Sequence, residues 1–183
     1  AYRFGPLQLR GGSRYDEDGA RRLARLPTGA AYSEAELLDA QQRLASSGYY
    51  DTVFLALDTE SGPPEAVPVI AQVSEAKLQK LVFGAGVSTD SGARLSANHI
   101  HNRLPGLGWR ATTKALVDRE TQSLDSEWVS LPGDDHWRWF GAGQLKRETL
   151  GSYDVNSVQL RGGRNKALGA IARNYALHYD SAR

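Results

Sequence analysis

The hydrophobic pattern changes period near residue 76. Before that point short alternating stretches are interleaved with helical ones; after residue 80 the helical period vanishes and apolar positions recur every second residue. "YRFGPLQLRG" predicts a strand carrying Phe4, Leu7 and Leu9, ended by Gly11 and Gly12. "EDGARRLARL" predicts a short helix with Leu23 and Leu26 on one face, stopped by Pro27 and Gly29. In the next helix, Ser33 and Glu36 have capping-box spacing, so hydroxyl and carboxylate can each satisfy a free amide of the first turn. Leu37, Leu38 and Leu44 supply its apolar face, Ala45 widens it, and Gly48 stops it. "YYDTVFLALD" is a strand with Val53, Leu55 and Leu57 on one side. "GPP" turns the chain and "AVPVIAQVSE" runs back, with Pro68 pointing to an edge or strand-start position. One strand, two helices and a hairpin make a two-layer unit of about 75 residues, because neither layer buries its apolar face alone.

Beyond residue 80 the pattern predicts an antiparallel meander of about seven strands. In "LVFGAGVST" one face is bulky (Leu81, Phe83, Ala85, Val87) and the other nearly bare (Val82, Gly84, Gly86, Ser88). "STDSG" turns into "ARLSANHIH", and "NRLPGLG" turns into "WRATTKALVD", which sets Trp109, Ala111, Thr113, Ala115 and Val117 against a mixed face. "SLDSEWVSLP", "HWRWFGAGQLKRETL", "YDVNSVQLRGGRN" and "ALGAIARNYALHYD" complete the series. Several of these approach or exceed the roughly 9 to 11 residues that a tilted membrane strand needs.

Composition narrows the partners. A net charge of +1, with 23% charged residues among 183, leaves no basic footprint for a nucleic-acid duplex. The chain has no cysteine, which removes disulfides, thiolate nucleophiles and cysteine metal sites while leaving the compartment open. No run of eighteen or more apolar residues is present, which excludes a spanning helix but not a barrel of strands. The chain starts at Ala1 without methionine or a signal-like segment, so it reads as a processed or excised piece.

Candidate chemistry is thin. "GAG" at 84–86 lacks the full G-x-G-x-x-G spacing and no helix follows it, so the glycines read as letting neighbouring groups lie close on one side of a strand. His99 and His101, two apart on one strand, face the same way and in principle hold a metal, but no acid lies in that run and no metal is expected. Asp134, Asp135 and His136 read as a loop tip. Trp128, Trp137, Trp139 and Phe140 fall close to one turn, where they would stack on sugars, form a core or build an aromatic girdle. The charges of "LKRE" and "LRGGR" would face solvent in a sandwich or line a polar lumen in a barrel.

The two halves together resemble the outer-membrane assembly and translocation superfamily of BamA and TamA, nearest to its TamA-like members. "YSEAELLDAQQRLASSGYYDTVFLALD" resembles the second helix and following strand of a POTRA domain, and "FGAGVSTDSGARLSANHIHNRLPGLGW" resembles the onset of the barrel. The family's helix-ending glycine with two aromatics maps onto Gly48, Tyr49 and Tyr50. Its glycine-bearing first strand maps onto Gly84 and Gly86, its Thr-Asp-x-Gly turn onto Thr89, Asp90 and Gly92, and its Asn followed by a Gly-x-Gly turn onto Asn102, Gly106 and Gly108.

The resemblance implies an α+β POTRA domain over residues 1–77, followed over 78–183 by an antiparallel β-meander that is the N-terminal part of a transmembrane β-barrel. Such a barrel is incomplete here, since a sheet edge cannot be left open in lipid. It further implies a bacterial outer-membrane location with the POTRA domain in the periplasm. The partners would be client outer-membrane proteins or autotransporters, the lipid bilayer, and an accessory protein of the periplasm or inner membrane. The first barrel strand, 81–89, would form a seam that opens laterally, and no cofactor or catalytic residue is expected. Two alternatives stand beside this reading: a soluble β-rich module that binds carbohydrate or protein, and a patatin-type secretion pore of the same superfamily.

Overall fold

In the computed structural model of the chain, residues 2–168 and 171–183 are described. Contacts divide it into two units, one ending at Ala76 and joined by Pro132–Asp134, the other comprising Lys77–Leu131 and Asp135–Arg183. In the first unit, strand β1 (Phe4–Arg10), helices α1 (Glu17–Ala24) and α2 (Glu34–Ala45), and strands β2 (Tyr50–Leu57) and β3 (Val67–Glu75) follow one another. The three-stranded sheet has the order β1-β3-β2, with β1 parallel and β2 antiparallel to β3.

β3 is therefore the central strand, and Pro68 stands there as its second residue rather than at an edge. The β1–β3 ladder shifts register between Phe4 and Leu7, where Gly5 and Pro6 lie, so the interior of the ladder makes no demand on a Pro68 amide. The same shift lets Phe4 and Leu7, three residues apart, both point inward at 0% and 2% exposure. A Cβ on Gly5 would lie 2.7 Å from Ala66 O and from the Val67 carbonyl, so only glycine permits this approach.

The helices depart from the pattern in two places. α1 starts at Asp16, whose side chain accepts from the Gly19 amide at 2.9 Å, but it ends at Ala24 with Arg25 left-handed (φ 51°). The expected extension through Leu26 fails because the residue before Pro27 is driven out of the helical region. In α2 the buried stripe is Leu37, Ala40, Gln41 and Leu44, spaced i, i+3, i+4, i+7, with Ala40 and Leu44 fully buried. Leu38 (54% exposed) and Ala45 fall off that stripe and face outward, contrary to expectation. Ser33 caps α2, accepting from the Glu36 amide at 3.5 Å.

In the second unit, β4 (Gln79–Ser88), β5 (Gly92–His101), β6 (Arg110–Val117), β7 (Thr121–Val129), β8 (Arg138–Leu150), β9 (Tyr153–Leu168) and β10 (Ile171–Ala182) form one antiparallel seven-stranded sheet. Its order follows the chain, each strand pairing with the next, so β4 and β10 are its two edges. This is an open sheet with the architecture of an unclosed barrel onset. The last strand starts later than its pattern suggested: residues 167 and 168 belong to β9, Leu168 pairs with Ile171, and residues 169 and 170 lie outside the described residues.

Candidate functional site

The register of the sheet sorts its side chains into two surfaces. Every odd position of β4 shares a face with its partners along the ladder: Phe83, Ala97, Ala115, Leu124, Leu145 and Val158 form one such row across six strands. This face also carries Leu81, Val87, Leu95, Trp128, Trp139, Leu160, Tyr175, Leu177 and Tyr179, all large and all exposed. The opposite face carries Lys114, Asp125, Glu127, Gln144, Gln159, Arg161 and His178 around a concavity of about 510 Å³. There Gln144 Nε2 donates to Asp125 Oδ1 at 2.5 Å. One surface is mostly apolar and the other mostly polar, an alternation that a strand set facing lipid on one side would need.

Alternation also corrects the reading of the charged stretches. Successive residues of a strand point to opposite sides, so Lys146, Glu148 and Arg161 lie on the polar face while Arg147 and Arg164 lie on the apolar one. Arg147 is matched there by Asp154, its Nη2 2.5 Å from Oδ2, and Thr149 donates to the same carboxylate at 2.7 Å. Arg164 instead lies over aromatic rings, its guanidinium carbon 4.6 Å from the Trp137 centroid and 5.8 Å from that of Trp139. The four neighbouring aromatics divide as well: Trp128 and Trp139 share the apolar face, whereas Phe140 pairs with Val129 and Gly163 on the other.

The β4 edge strand holds Gly84 and Gly86 on its bare side. A Cβ at Gly86 would meet none of the described atoms within 4 Å, and one at Gly84 would meet only Ser96 Oγ, at 2.6 Å, and its Cβ. Among the described residues, no backbone or bulky group crowds either glycine; the one close neighbour is the small Ser96 hydroxyl beside Gly84. The close approach lies at Gly163 of β9, where an added Cβ would collide with the Tyr175 carbonyl.

Thr89 and Asp90 lie in the turn after β4, which Ser88 ties down by accepting from the Asp90 and Ser91 amides at 3.2 and 3.4 Å. Gly92 follows at φ +72°, and Gly106 and Gly108 sit at φ +76° and +70° in the turn between β5 and β6. Such angles cost any residue with a Cβ, which is what those turns select for. Asn102, 4% exposed, donates from Nδ2 to Lys77 O and from its amide to Leu78 O, both at 2.8 Å, and so fixes the two residues that lead into β4.

At the next turn Asp118 accepts from the Glu120 and Thr121 amides at 2.9 and 2.7 Å and from Arg94 at 3.1 Å. The Glu120 amide first, with the Thr121 amide and Arg94, holds this carboxyl below the usual carboxylate range against the opposing effect of burial.

In the first unit Gly48, at φ +78°, lets the chain leave α2 and deliver Tyr49 and Tyr50 to the core. Both rings stand edge-on to Tyr15, with centroids 5.0 and 5.9 Å away. Burial, followed by the nearby Glu75 carboxylate, pushes Tyr50 up to about 12. Burial also raises Tyr15.

Glu75 was not singled out by its sequence context, yet its Oε1 accepts from three consecutive amides, Ser13, Arg14 and Tyr15, at 3.0, 2.6 and 3.2 Å. Successive amides converging on one anion form a nest. The turn-forming "GGS" that opens the segment was the available signal. His99 and His101 do share a face, ring centroids 6.3 Å apart, and His99 Nε2 is 3.1 Å from Gln79 Oε1. Among the described residues no group of three or more His, Cys, Asp or Glu is placed to hold a metal.

Residues 2–76 match the POTRA family, described as "Surface antigen variable number repeat". The element order strand, two helices and hairpin agrees with that match. Residues 2–76 form a POTRA-like domain. Over 99% of its length the chain is also similar to the crystal structure of BamA from Haemophilus ducreyi lacking POTRA domains 1–3, with a TM-score of 0.69 and 17% sequence identity. The chain spans 36% of that structure's length. At this identity the likeness is one of fold: a POTRA-like α+β part followed by an open antiparallel sheet that matches the N-terminal part of a barrel.

Proposed function

We propose that this chain is part of an outer-membrane protein-assembly or translocation factor of the BamA and TamA superfamily, the POTRA domain being residues 1–77 and the partial barrel residues 78–183. The POTRA domain would lie in the periplasm and engage client outer-membrane proteins or autotransporters, or an accessory protein, while the sheet spans the bilayer. The observation that carries this is the covalent succession, in one chain, of a POTRA domain and a sheet with one apolar and one polar face. A soluble binding module would need water-compatible outer surfaces, and the exposed Leu81, Phe83, Val87, Leu95 and Leu177 on one face disfavour it.

β4, exposed on both faces and at one edge of the sheet, supports its role as one side of a lateral seam. The bare Gly84 and Gly86 would weaken side-chain packing across such a seam. Asn102 and the Gly92, Gly106 and Gly108 turns would set where that strand begins and ends. Work in this mechanism comes from client folding and from pairing of free strand edges, so no residue is assigned a bond-making step.

The test uses the full-length protein in vesicles, with a urea-denatured outer-membrane protein diluted onto them and its acquisition of heat-resistant mobility followed in time. The account expects faster folding than on empty vesicles, and loss of that gain when a disulfide ties β4 to its closing strand. Equal rates with and without the protein would reject the assembly role.

A further inference from the structure

The apolar face carries charge at both ends, and the two ends are built differently. Seven antiparallel strands alternate in direction, so the start of β8, the end of β9 and the start of β10 lie at the same end of the sheet as Gln79, where β4 begins. At that end Lys166 pairs with Arg173, and Arg164 with Tyr175, on adjacent rungs of the same face. Two cations directly opposite each other destabilise a sheet unless an anion lies between them.

At the other end Arg147 has Asp154. Among the described residues, no ion pair involves Arg164, Lys166 or Arg173. Of the two acids in the adjoining loop, Asp134 pairs with Arg22 at 2.9 Å and Asp135 accepts from the Trp137 amide at 3.2 Å.

The aromatics around these cations shape a receptor rather than a core. Trp137 and Tyr175 lie side by side with centroids 5.7 Å apart and planes tilted by 37°. Arg164 lies over Trp137, Trp139 and Tyr175 at 4.6, 5.8 and 5.9 Å, and Lys166 Nζ is 5.9 Å from the Trp137 ring. Ring faces hold a guanidinium in place without neutralising it, which leaves its N–H edge free to donate to an oxyanion. Tyr175 (59% exposed) and Trp139 (52%) present their surfaces outward at the level where such rings meet the boundary between hydrocarbon and headgroup.

We propose that Arg164, Lys166 and Arg173, framed by Trp137, Trp139 and Tyr175, bind the phosphate of an anionic phospholipid headgroup at the edge of the bilayer where the chain enters the sheet. This rests on the reading of β4–β10 as a membrane-spanning sheet. Three positive charges facing outward from an apolar surface match an anion already fixed in the plane of the membrane, whose acyl chains then cover Leu177 and Leu160 on the same face. A soluble anion would match the charges but not the apolar surface beside them.

The full-length protein would be inserted into phosphatidylcholine nanodiscs containing a minor fraction of phosphatidylglycerol and released for native mass spectrometry. Wild-type protein is expected to retain phosphatidylglycerol in excess of its share of the bilayer. Arg164→Gln, Lys166→Gln and Arg173→Gln together should remove that excess, with about a fivefold loss for each charge removed. The single Arg173→Gln variant, at an exposed position, keeps the test open should the triple variant fail to fold.

Retention in proportion to bilayer content, or an excess that survives in both variants, would overturn the headgroup site while leaving the membrane reading intact. Displacement of the retained lipid by millimolar inorganic phosphate would overturn the lipid as the source of the anion. Failure of the wild type to enter nanodiscs at all would overturn the membrane reading and the site with it.

Discussion

The POTRA-like domain and the sheet that follows it spend their apolar residues in opposite ways. Among the described residues, every buried apolar side chain except Ala111 and Pro132 lies between Phe4 and Ala76, while the large exposed ones crowd the strands from Leu81 to Tyr179. The two regions share one chain, and they differ in where their apolar residues go. In the first, burial against helices removes apolar surface from water. In the second, a single layer leaves one face apolar and exposed, which on the proposed reading hydrocarbon would cover, while each inner strand pairs on both sides.

The largest separation between the regions is expected from truncating a leucine in each. Leu44→Ala opens a cavity in a fully buried position and should cost about 2–5 kcal/mol in POTRA unfolding followed by urea titration. Leu160→Ala, on the exposed apolar face, should leave that transition and the heat resistance of the barrel nearly unchanged, because lipid tails refill the space.

Charge gives the reverse ordering. Leu145→Arg, midway along β8 on the apolar face, should cost roughly 2–4 kcal/mol of barrel stability in bilayers, measured by folding titration. Gln144→Arg, one residue away on the polar face, should be tolerated.

Alkali should act on the POTRA domain through Tyr50. Its folded value of about 12 lies above the ordinary 10.0, so the fold favours the neutral phenol. That stability is complete below pH 10 and is lost as pH rises from 10 towards 12, where the unfolded chain ionises first. The shift corresponds to on the order of 2–3 kcal/mol. Wild type should therefore lose stability across that window in urea titrations at successive pH values, and Tyr50→Phe should lose less.

The smallest effect belongs to the α2 cap. Ser33→Ala should lower POTRA stability by about 1 kcal/mol or less, given the long 3.5 Å bond to the Glu36 amide. Thermal melting of the variant checks it.

How much of this was legible in the sequence follows from how local each cause is. The strands of the sheet were readable because period-two alternation is written in consecutive residues, and the POTRA element order because capping and turn residues are local too. The α2 face was misjudged at Leu38 and Ala45 because hydrophobicity was read without its phase: Leu37, Ala40, Gln41 and Leu44 fall on one stripe whatever their polarity.

Pro68 was readable as a strand start, but the central position of its strand depends on pairing with β1, more than sixty residues earlier, opposite a break in the ladder. Long-range partners hid the rest. The nest around Glu75 joins residues about sixty positions apart. The aromatic cradle of Arg164 joins β9 and β10 to the loop before β8, and "LRGGR" alone does not say which of its arginines faces which way until the register is fixed.

The central claim is that the sheet's two faces meet different solvents. Spin labels placed one at a time at Gly143, Leu145, Val158 and Leu160, and at Ala142, Gln144, Gln159 and Arg161, in the full-length protein in bilayers would measure it directly. Collision with oxygen, which partitions into lipid, should be high for the first set and low for the second, and collision with a water-soluble nickel chelate should show the reverse. Aqueous exposure at both sets, with no alternation between neighbouring positions, would contradict the account.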